Sequence, residues 1–454
     1  MKKIRTEIKR EISKDPQVKF VGDAYVIDDE PVIYTGNLII IFKKELSVHE
    51  CVSLLNDHSL DIEQDMSDIG NVWLVADKNN VNNIVFELSE KLLQNPVVDA
   101  CYPEIIRCKA DKVIHSNQWH LKPTVVTHRT EINASANVEE AHKITKGTGI
   151  VVAIIDDAVD ITHPEFSAPG KIVYPANFNR NYFDNNPMPR SVRESHGTYC
   201  AGVAVAGGLS GASGVAPESR LMPIRLADNL GSFNEARAFI WAAQNDADII
   251  SCSWGPPDGK PLVPNDPFHR MRVAVPPHTQ RAMDYAAEFG RDGKGCAIFF
   301  AAGNGNERVE NDGYASYKYV IAVAACNDIS QRSFYSDYGA SVFCAFPSND
   351  QLSSLTPGIW TTGLTSNAGY NANGDYVNNF GGTSSACPGA AGVAALILSV
   401  HPDLTLVQLK DLMRRGCDKI GANVNTQEYD QNGQSLSFGY GRLNAATSVR
   451  LALR

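Results

Sequence analysis

The sequence lacks a long apolar run, a hydrophobic leader and an excess of basic residues. No apolar run reaches 18 residues, the length that crosses a membrane, so we expect no membrane partner. The first ten residues are basic, but the apolar stretch of a secretory signal does not follow them, which predicts a cytoplasmic protein. The net charge of −10 argues against a nucleic-acid partner.

Paired cysteines are missing as well. The 10 cysteines include no C-x-x-C pair, and no spacing of cysteine and histidine fits a zinc site. Cys252, Cys296 and Cys326 lie in apolar segments, where a free thiol behaves as a small hydrophobic group. We therefore expect reduced thiols, and we expect no organic cofactor. The 454 residues are otherwise ordinary for a globular protein, with 43% hydrophobic and 20% charged residues.

The first part of the chain predicts a small α+β domain. Residues 1–33 are mixed and polar, and we interpret them as an N-terminal extension. Over residues 34–107, apolar runs and helical spacings alternate in the order strand, helix, strand, helix, strand. The predicted strands are 37–42, 72–75 and 97–102, and the predicted helices are 47–56 and 84–93.

Residues 108–136 lose this periodicity, and we interpret them as an exposed, cleavable linker. Beyond the linker, residues 137–454 alternate apolar strands with helices, a pattern typical of a parallel sheet covered on both faces. The sequence therefore predicts the α/β class. The strands predicted in this region are 150–155, 220–226, 248–253, 296–301 and 320–325.

Polar side chains follow three of these strands. Asp156 and Asp157 come after the first strand, Ser253 ends the third, and Asn304 follows the fourth. Because functional groups collect at the carboxyl ends of strands in open parallel sheets, we expect these side chains to lie at one edge of the sheet.

Two helix starts add a base and a nucleophile. His196 precedes a helix of small residues, and Ser384 follows a Gly-Gly turn at the start of an apolar helix. Each of these polar residues, taken alone, also fits a structural role as a helix cap or a turn former. Acyl transfer, however, needs a serine, an imidazole that activates it, a carboxylate that orients the imidazole, and a donor to the oxyanion. Because all four of these groups occur at such positions in one chain, the sequence favours a single catalytic site over four separate structural roles.

The motifs that carry these residues resemble those of subtilisin-like serine proteases. They are Ile154-Ile155-Asp156-Asp157, His196-Gly197-Thr198, Ala302-Gly303-Asn304 and Gly382-Thr383-Ser384. Their order along the chain, Asp then His then Ser, is that of subtilisin. The resemblance covers residues 137–454 and implies a subtilisin-like three-layer sandwich with a mainly parallel sheet, preceded by a small α+β prodomain.

The resemblance also implies a role for each residue. Asp156 would orient His196, which would act as general base and then as general acid while Ser384 attacks the substrate. Asn304 would donate to the oxyanion. The backbone of Ser253, Trp254 and Gly255 would pair with extended substrate.

Within the family, the runs 196–202, 251–256 and 311–314 resemble the kexin/furin branch. That branch places Asp258 and Asp312 in the pocket for the residue before the scissile bond, which implies cleavage after Arg more than after Lys. Glu235 falls where a further acid reads a basic residue upstream in the substrate. It fits the first turn of a helix equally well.

The same branch holds a structural calcium ion behind this pocket. Its ligands fall at Asp258, Glu310 and Asp337, which otherwise read as surface acids on polar loops. The loop 207–214 is short and lacks the Asn-rich insert of another calcium site, which argues against calcium there.

The first 110 residues resemble the family's propeptide, an intramolecular chaperone and inhibitor. The resemblance implies a self-inhibited serine endopeptidase zymogen, with its own prodomain as a partner and self-cleavage between about Arg107 and Asn117. The alternative is a catalytically silent protease fold that binds or regulates another protein, with the prodomain held in the cleft. Because no core catalytic residue is missing, we favour the enzyme, acting on protein or peptide substrates.

Overall fold

The computed structural model describes residues 24–27, 30–67, 70–78, 84–107, 114–123, 133–179, 182–226, 230–350, 356–365, 374–421 and 428–454. The chain divides into two compact units, Met1–Ala110 and Asp111–Arg454. Each unit has its own hydrophobic core.

In its described residues the first unit consists of a five-stranded antiparallel sheet with two helices, so the prediction of an α+β class for this part is confirmed. Its elements are β1 (Ala24–Ile27), β2 (Glu30–Phe42), α1 (Val48–Asp57), β3 (Leu60–Met66), β4 (Val72–Asp77), α2 (Ile84–Leu93) and β5 (Val98–Arg107). Strand β2 pairs with β1, β4 and β5, and β3 pairs with β4. Leu38 and Ile40 of β2 are buried with Trp73 of β4 and Leu55 of α1.

Two strands of this sheet lie outside the predicted elements. Strand β3 buries only Leu60 and exposes its other six residues, because an edge strand is held by backbone pairing and needs few apolar side chains. Strand β1 and the start of β2 lie within residues 24–33, so the sheet begins inside the segment interpreted as an N-terminal extension.

The interpretation of residues 108–136 as an exposed linker is corrected by the second unit. Ile114, Trp119 and Leu121 are buried in its core. The Gln118 side chain accepts from the backbone N–H of Ser213 at 3.0 Å and donates to the carbonyl of the same residue. The described residues of this segment, 114–123 and 133–136, are therefore packed parts of the second unit, and residues 108–113 lie outside the described ranges.

The second unit is built on a ten-stranded, mainly parallel sheet, which confirms the α/β class. Its elements are α3 (Val138–His142), β6 (Val151–Asp156), β7 (Ala176–Asn179), β8 (Tyr182–Asp184), α4 (His196–Val205), β9 (Arg220–Leu226), α5 (Phe233–Gln244), β10 (Ile249–Cys252), α6 (Pro277–Gly293), β11 (Ala297–Ala301), β12 (Ile321–Cys326), β13 (Val342–Pro347), β14 (Ile359–Thr362), β15 (Tyr376–Phe380), α7 (Thr383–Val400), α8 (Leu406–Arg415), β16 (Cys417–Asp418), β17 (Arg442–Leu443) and α9 (Ala445–Ala452). The sheet order is β16-β17-β13-β12-β11-β10-β6-β9-β7-β8, and only the outermost pair at each end is antiparallel. The strands β14 and β15 form a separate hairpin. The five predicted strands match β6, β9, β10, β11 and β12 to within one residue at each end.

Helix α7 lies in the core against β10, β11, β12 and β13. It is long and apolar enough to cross a membrane, but 83% of it is buried inside the protein, as in a core helix. Its glycines permit close packing, since a Cβ on Gly389 would lie 2.2 Å from the ring of Phe346 and one on Gly392 2.5 Å from Val215. The first turn of α7 carries Ser384, so this packing holds the residue in place.

The buried imidazole of His120 should make the protein less stable in acid. Neither ring nitrogen has a hydrogen-bond partner in the described part of the chain, and burial lowers the pKa of His120 to about 3. The unfolded chain takes up a proton below about pH 6.5 whereas the folded one does not, so the free energy of unfolding falls between pH 6.5 and 3 by about 1.4 kcal/mol per pH unit. The thermal midpoint of His120→Leu should therefore drop less between pH 7 and pH 5 than that of the wild type.

The matched control for this experiment is His49→Leu, which removes an exposed histidine of α1. Its midpoint should follow the wild-type pH dependence. An unchanged pH dependence in His120→Leu would show that burial of this ring is not the cause.

Candidate active site

The end of β6 holds a carboxylate and an imidazole in direct contact. Asp156, the last residue of β6, accepts a hydrogen bond from Nδ1 of His196 at 2.9 Å. Asp156 is buried, whereas 36% of the His196 side chain is exposed. Burial alone would lower the pKa of His196, but the charge and hydrogen bond of Asp156 outweigh it and raise this pKa well above its ordinary value. The exposed imidazole is therefore a strengthened base.

Asp157 fixes the start of the helix that carries this base. Its carboxylate accepts from the backbone N–H of His196 at 3.2 Å and of Gly197 at 2.8 Å, while the N-cap residue Ser195 makes no side-chain cap. Burial and the neighbouring charge of Asp156 raise the pKa of Asp157 to about 6. The sequence motif contained Asp157, but its capping of α4 depends on a contact 39 residues away along the chain.

Ser384 lies in the first turn of α7 and is linked to the same imidazole through Cys200. Cys200 joins the two residues, with its Sγ 3.7 Å from His196 Nδ1 and 3.6 Å from the Ser384 carbonyl oxygen. Within the described chain, the Ser384 hydroxyl donates to the Ser253 carbonyl at 3.3 Å rather than to His196. A rotation about its Cα–Cβ bond would redirect the hydroxyl, and such catalytic hydrogen bonds often tighten only when substrate binds.

Asn304 is held with its amide group beside Ser384. Its Oδ1 accepts from the backbone N–H of Thr383 at 2.8 Å and from the Thr383 hydroxyl at 3.1 Å. These two contacts define which end of the amide is oxygen. The Nδ2 group donates to no residue in the described ranges, so it is available as a donor to an oxyanion.

A cleft opens beside Asp156 and His196. Its cavity measures about 350 Å³ and is lined by Asp156, Asp157, His196, Leu226, Leu230, Glu235 and Trp254. The Trp254 indole donates to the Ile155 carbonyl at 2.7 Å and contacts the rings of Phe300 and Tyr314 edge-on. The segment Ser253, Trp254 and Gly255 is thereby anchored at the end of β10.

Asp312 and Gly255 are in close contact. A Cβ built on Gly255 would lie 2.8 Å from Oδ2 of Asp312, and the other oxygen of this carboxylate accepts from the Tyr314 N–H at 2.7 Å. Burial raises the pKa of Asp312 to about 7. A cation placed beside this carboxylate would restore its charge.

Glu235 lies in the first turn of α5 and also lines the cleft. Its N–H bonds to the N-cap hydroxyl of Ser232 in the first turn of α5. Its carboxylate lines the cleft, accepts from the Gly231 N–H at 2.9 Å and from the Tyr314 hydroxyl at 3.3 Å, and keeps Oε1 buried without a partner in the described chain.

A second carboxylate cluster lies beside Asn304, and it corrects one expected ligand. Asp258, Glu307 and Asp337 each bring a carboxylate oxygen within 4.8 Å of the others. Glu310 is not a member of this cluster, because its two oxygens bind Arg308 at 2.9 Å and the Ser341 N–H at 3.1 Å. Glu307 therefore occupies the place in the cluster that was expected for Glu310.

The cluster fits a bound cation. Burial raises the pKa of Asp258 to about 6 with help from the charge of Glu307, and burial with the charge of Asp258 raises the pKa of Asp337 to about 9. Asp258 Oδ1 and Asp337 Oδ2 accept no hydrogen bond from the described residues, and both face Gly303, where a Cβ would lie 3.0 and 2.3 Å from them. Three crowded acids with free oxygens are a donor set suited to Ca²⁺.

The loop 207–214 has the opposite chemistry. The buried carboxylate of Glu165 accepts four backbone N–H groups, from residues 209–212, and the Tyr376 hydroxyl at 2.9 Å. Burial alone would raise the pKa of Glu165, but these backbone bonds lower it. The loop therefore points its donors at an anion, in keeping with the expectation of no calcium there.

This chain resembles known proteins both in sequence and in fold. Residues 147–441 match the Peptidase S8 subtilase family model. The calcium-dependent protease of Trichormus variabilis is 49% identical over 463 residues, which span 99% of this chain and 69% of that protein. The dibasic-processing endoprotease of Yarrowia lipolytica is 34% identical over 316 residues, 67% of this chain and 30% of the relative.

Among solved structures, the serine protease of Aeromonas sobria has a similar fold. It superposes with a TM-score of 0.62 at 22% identity, over 76% of this chain and 70% of that one. At this identity the likeness concerns the fold alone.

Proposed function

The chain belongs to the subtilase family of serine endopeptidases, and we propose that it cleaves protein substrates through an Asp156–His196–Ser384 triad. The observation that carries this proposal is the hydrogen bond of 2.9 Å between buried Asp156 and partly exposed His196, with Cys200 in contact with both this imidazole and the Ser384 carbonyl. The cleft lined by Asp156 and His196 is large enough for substrate side chains.

In this mechanism the Ser384 hydroxyl turns toward Nε2 of His196 and attacks the substrate carbonyl as His196 takes its proton. Asp156 holds the Nδ1–H tautomer and stabilises the imidazolium. The Asn304 amide and the N–H groups in the first turn of α7 donate to the oxyanion. His196 then gives its proton to the leaving amine, and water releases the acyl group by the same steps.

We further propose that the pocket beside Gly255 takes a basic side chain. Asp312, with Asp258 nearby, presents buried carboxylate to this pocket, and the planar guanidinium of Arg matches carboxylates better than the ammonium of Lys. The name of the Yarrowia relative, a dibasic-processing endoprotease, supports the same substrate class. Glu235 would read a further basic residue.

The N-terminal unit is proposed to be an inhibitory prodomain. Residues 114–121 are packed in the core of the second unit, so the cleavage that frees the prodomain is placed upstream of them, within residues 108–113. The basic residues Lys109 and Lys112 fall in this segment.

Calcium is the proposed occupant of the cluster formed by Asp258, Glu307 and Asp337. A relative with 49% identity is named a calcium-dependent protease, and the free carboxylate oxygens of the cluster suit this ion. Bound calcium would hold these acids ionised and stabilise the turn that carries Asn304.

The triad predicts that Ser384→Ala and His196→Ala each lower kcat on a fluorogenic Arg peptide by about 10⁴- to 10⁶-fold, with the double variant little worse. The matched control is Ser385→Ala, since the Ser385 hydroxyl bonds to Ser348 at 2.7 Å inside the core. Near-wild-type turnover in Ser384→Ala would contradict the assignment of Ser384 as the nucleophile.

The proposed self-cleavage predicts a difference in intact mass between two proteins. The Ser384→Ala variant should stay full length, whereas the wild-type chain should be cleaved within residues 108–113.

The pocket predicts that Asp312→Asn lowers the kcat/KM ratio of Arg over Leu peptides by tenfold or more, on the order of the loss of one buried charged pair. The control is Asp403→Asn, which removes an exposed acid paired with Lys294. A wild-type cleavage profile dominated by Leu or Phe before the scissile bond would refute the pocket and leave the triad standing.

The cluster predicts that calcium raises the thermal midpoint by several degrees over EDTA, because an ion bound only by the folded state stabilises it. Glu307→Gln should lose this shift, whereas Glu310→Gln should keep it. The calcium affinity should rise with pH, because protons compete for Asp258 and Asp337. Identical midpoints in calcium and EDTA, or loss of the shift in Glu310→Gln alone, would contradict the assignment.

A further inference from the structure

The loop 260–272 is attached at both ends to the acids of the proposed pocket. On its N-terminal side, Gly259 follows Asp258 and donates its N–H to Glu307 at 2.9 Å. On its C-terminal side, Val273 forms a parallel bridge with Asp312, and the Gly313 N–H donates to the Val273 carbonyl at 2.8 Å. The two ends of the loop therefore lie next to Asp258 and Asp312, the acids of the proposed pocket.

The loop is ordered by its own hydrogen bonds. Asp266 accepts from the N–H groups of Phe268 at 3.1 Å and Lys260 at 3.3 Å, and it caps a short 3₁₀ helix at Pro267–Arg270. The His269 ring bonds to Glu307 at 2.7 Å and to the Val263 carbonyl at 2.9 Å. A surface held in this way loses little conformational entropy when a partner binds.

The outward surface of the loop is both apolar and basic. Leu262 is 75% exposed, Val263 46% and Phe268 43%. Lys260, Arg270 and Arg272 are also exposed, and within the described chain none of them has a carboxylate at ion-pair distance. Asp266 is the one acid among residues 260–272, and its oxygens are engaged by the backbone. The loop thus carries unneutralised positive charge in a chain whose net charge is −10.

We propose that the loop 260–272 binds an acidic, apolar segment of the protein substrate, beside the residue that enters the pocket. This inference rests on the proposed endopeptidase function. The exposed apolar side chains would cover apolar residues of that segment, and the three cations would pair with its acids. The same cations would repel Lys and Arg, so the substrate would carry basic residues at the pocket and at Glu235, and acidic residues in the segment that meets the loop.

The test compares peptides that share one central Arg and differ only in the flanking residues. One peptide has flanks of alternating Glu and Leu, a second has Lys and Leu, and a third has Ser and Gly. We expect the full-length wild type to cleave the Glu/Leu peptide with kcat/KM about tenfold above the Ser/Gly peptide, the effect of three weak ion pairs acting together. The Lys/Leu peptide should be the poorest of the three.

Two variants separate the charges from the apolar contacts. The triple variant Lys260→Glu, Arg270→Glu, Arg272→Glu should reverse the preference between Glu/Leu and Lys/Leu flanks. The pair Leu262→Ser, Phe268→Ser should reduce the gain from Glu/Leu flanks to about threefold. The matched controls are Arg450→Glu and Val407→Ser, an exposed cation on α9 and an apolar residue on α8 with 77% exposure, and both should keep the wild-type preference.

A short Arg tripeptide amide that reaches only the pocket distinguishes a failure of the proposed endopeptidase function from a failure of the loop proposal. If the wild type cleaves neither this amide nor the longer peptides, the proposed function fails. Binding of the flanked peptides to Ser384→Ala, read by fluorescence anisotropy, then still tests the loop. If the amide is cleaved but flank preference is absent, or is the same in the triple variant, the loop proposal is overturned. Loop-dependent binding to vesicles of phosphatidylcholine and phosphatidylserine without flank preference would overturn it in favour of a lipid surface.

Discussion

A buried carboxylate remains ionised only where N–H groups or a cation replace the lost solvent, and this constraint acts on the carboxylates around the candidate site of the second unit. Asp157 is bound by the backbone at the start of α4, and Asp312 by the N–H of Tyr314. Asp258 is bound by the N–H of Asn304 and Asp337 by those of Gly305 and Glu307. Each acid therefore positions a backbone segment that carries or adjoins a functional residue, because the hydrogen bonds that satisfy the charge also hold the chain.

Glu165 and the acids of the cluster beside Asn304 differ in how many hydrogen bonds the protein donates to them. Glu165 receives four backbone N–H groups and a tyrosine hydroxyl, which keeps its pKa low. Asp258 and Asp337 receive fewer donors, stand close together and have raised pKa values. The charge of Glu165 is thus satisfied by hydrogen bonds from the loop 207–214 and Tyr376 alone. In the cluster beside Asn304, by contrast, Asp258 and Asp337 each keep one carboxylate oxygen for a cation. Any dependence of the protein on calcium would then act on Asn304 and the pocket first.

Close packing around α7 supplies the other half of the site. Gly389 and Gly392 let the helix approach Phe346 and Val215, and the helix lies against four strands of the sheet. Ser384, the proposed nucleophile, is therefore placed by the core itself, while His196, the proposed base, is placed by Asp156 and Asp157 at the edge of the same sheet. A rigid nucleophile and a rigid base are what acyl transfer requires, since small displacements of either are costly to the rate.

Local signals in the sequence determined the elements that bear the chemistry. Uninterrupted apolar runs predicted the strands β6, β9, β10, β11 and β12. The ends of strands and the starts of helices indicated the candidate site residues, which are Asp156, His196, Asn304 and Ser384. Other features depend on contacts between distant segments and could be decided only by the tertiary structure. Glu307 replaces Glu310 in the cluster because the backbone after Asn304 directs the carboxylate of Glu307 inward and that of Glu310 toward Arg308. Residues 114–121 have no periodicity because they are held by a few specific contacts with a distant loop, and β3 has few buried residues because it is an edge strand. The sequence decides which groups are available, and folding decides which of them meet, because burial and backbone hydrogen bonds arise from segments far apart along the chain.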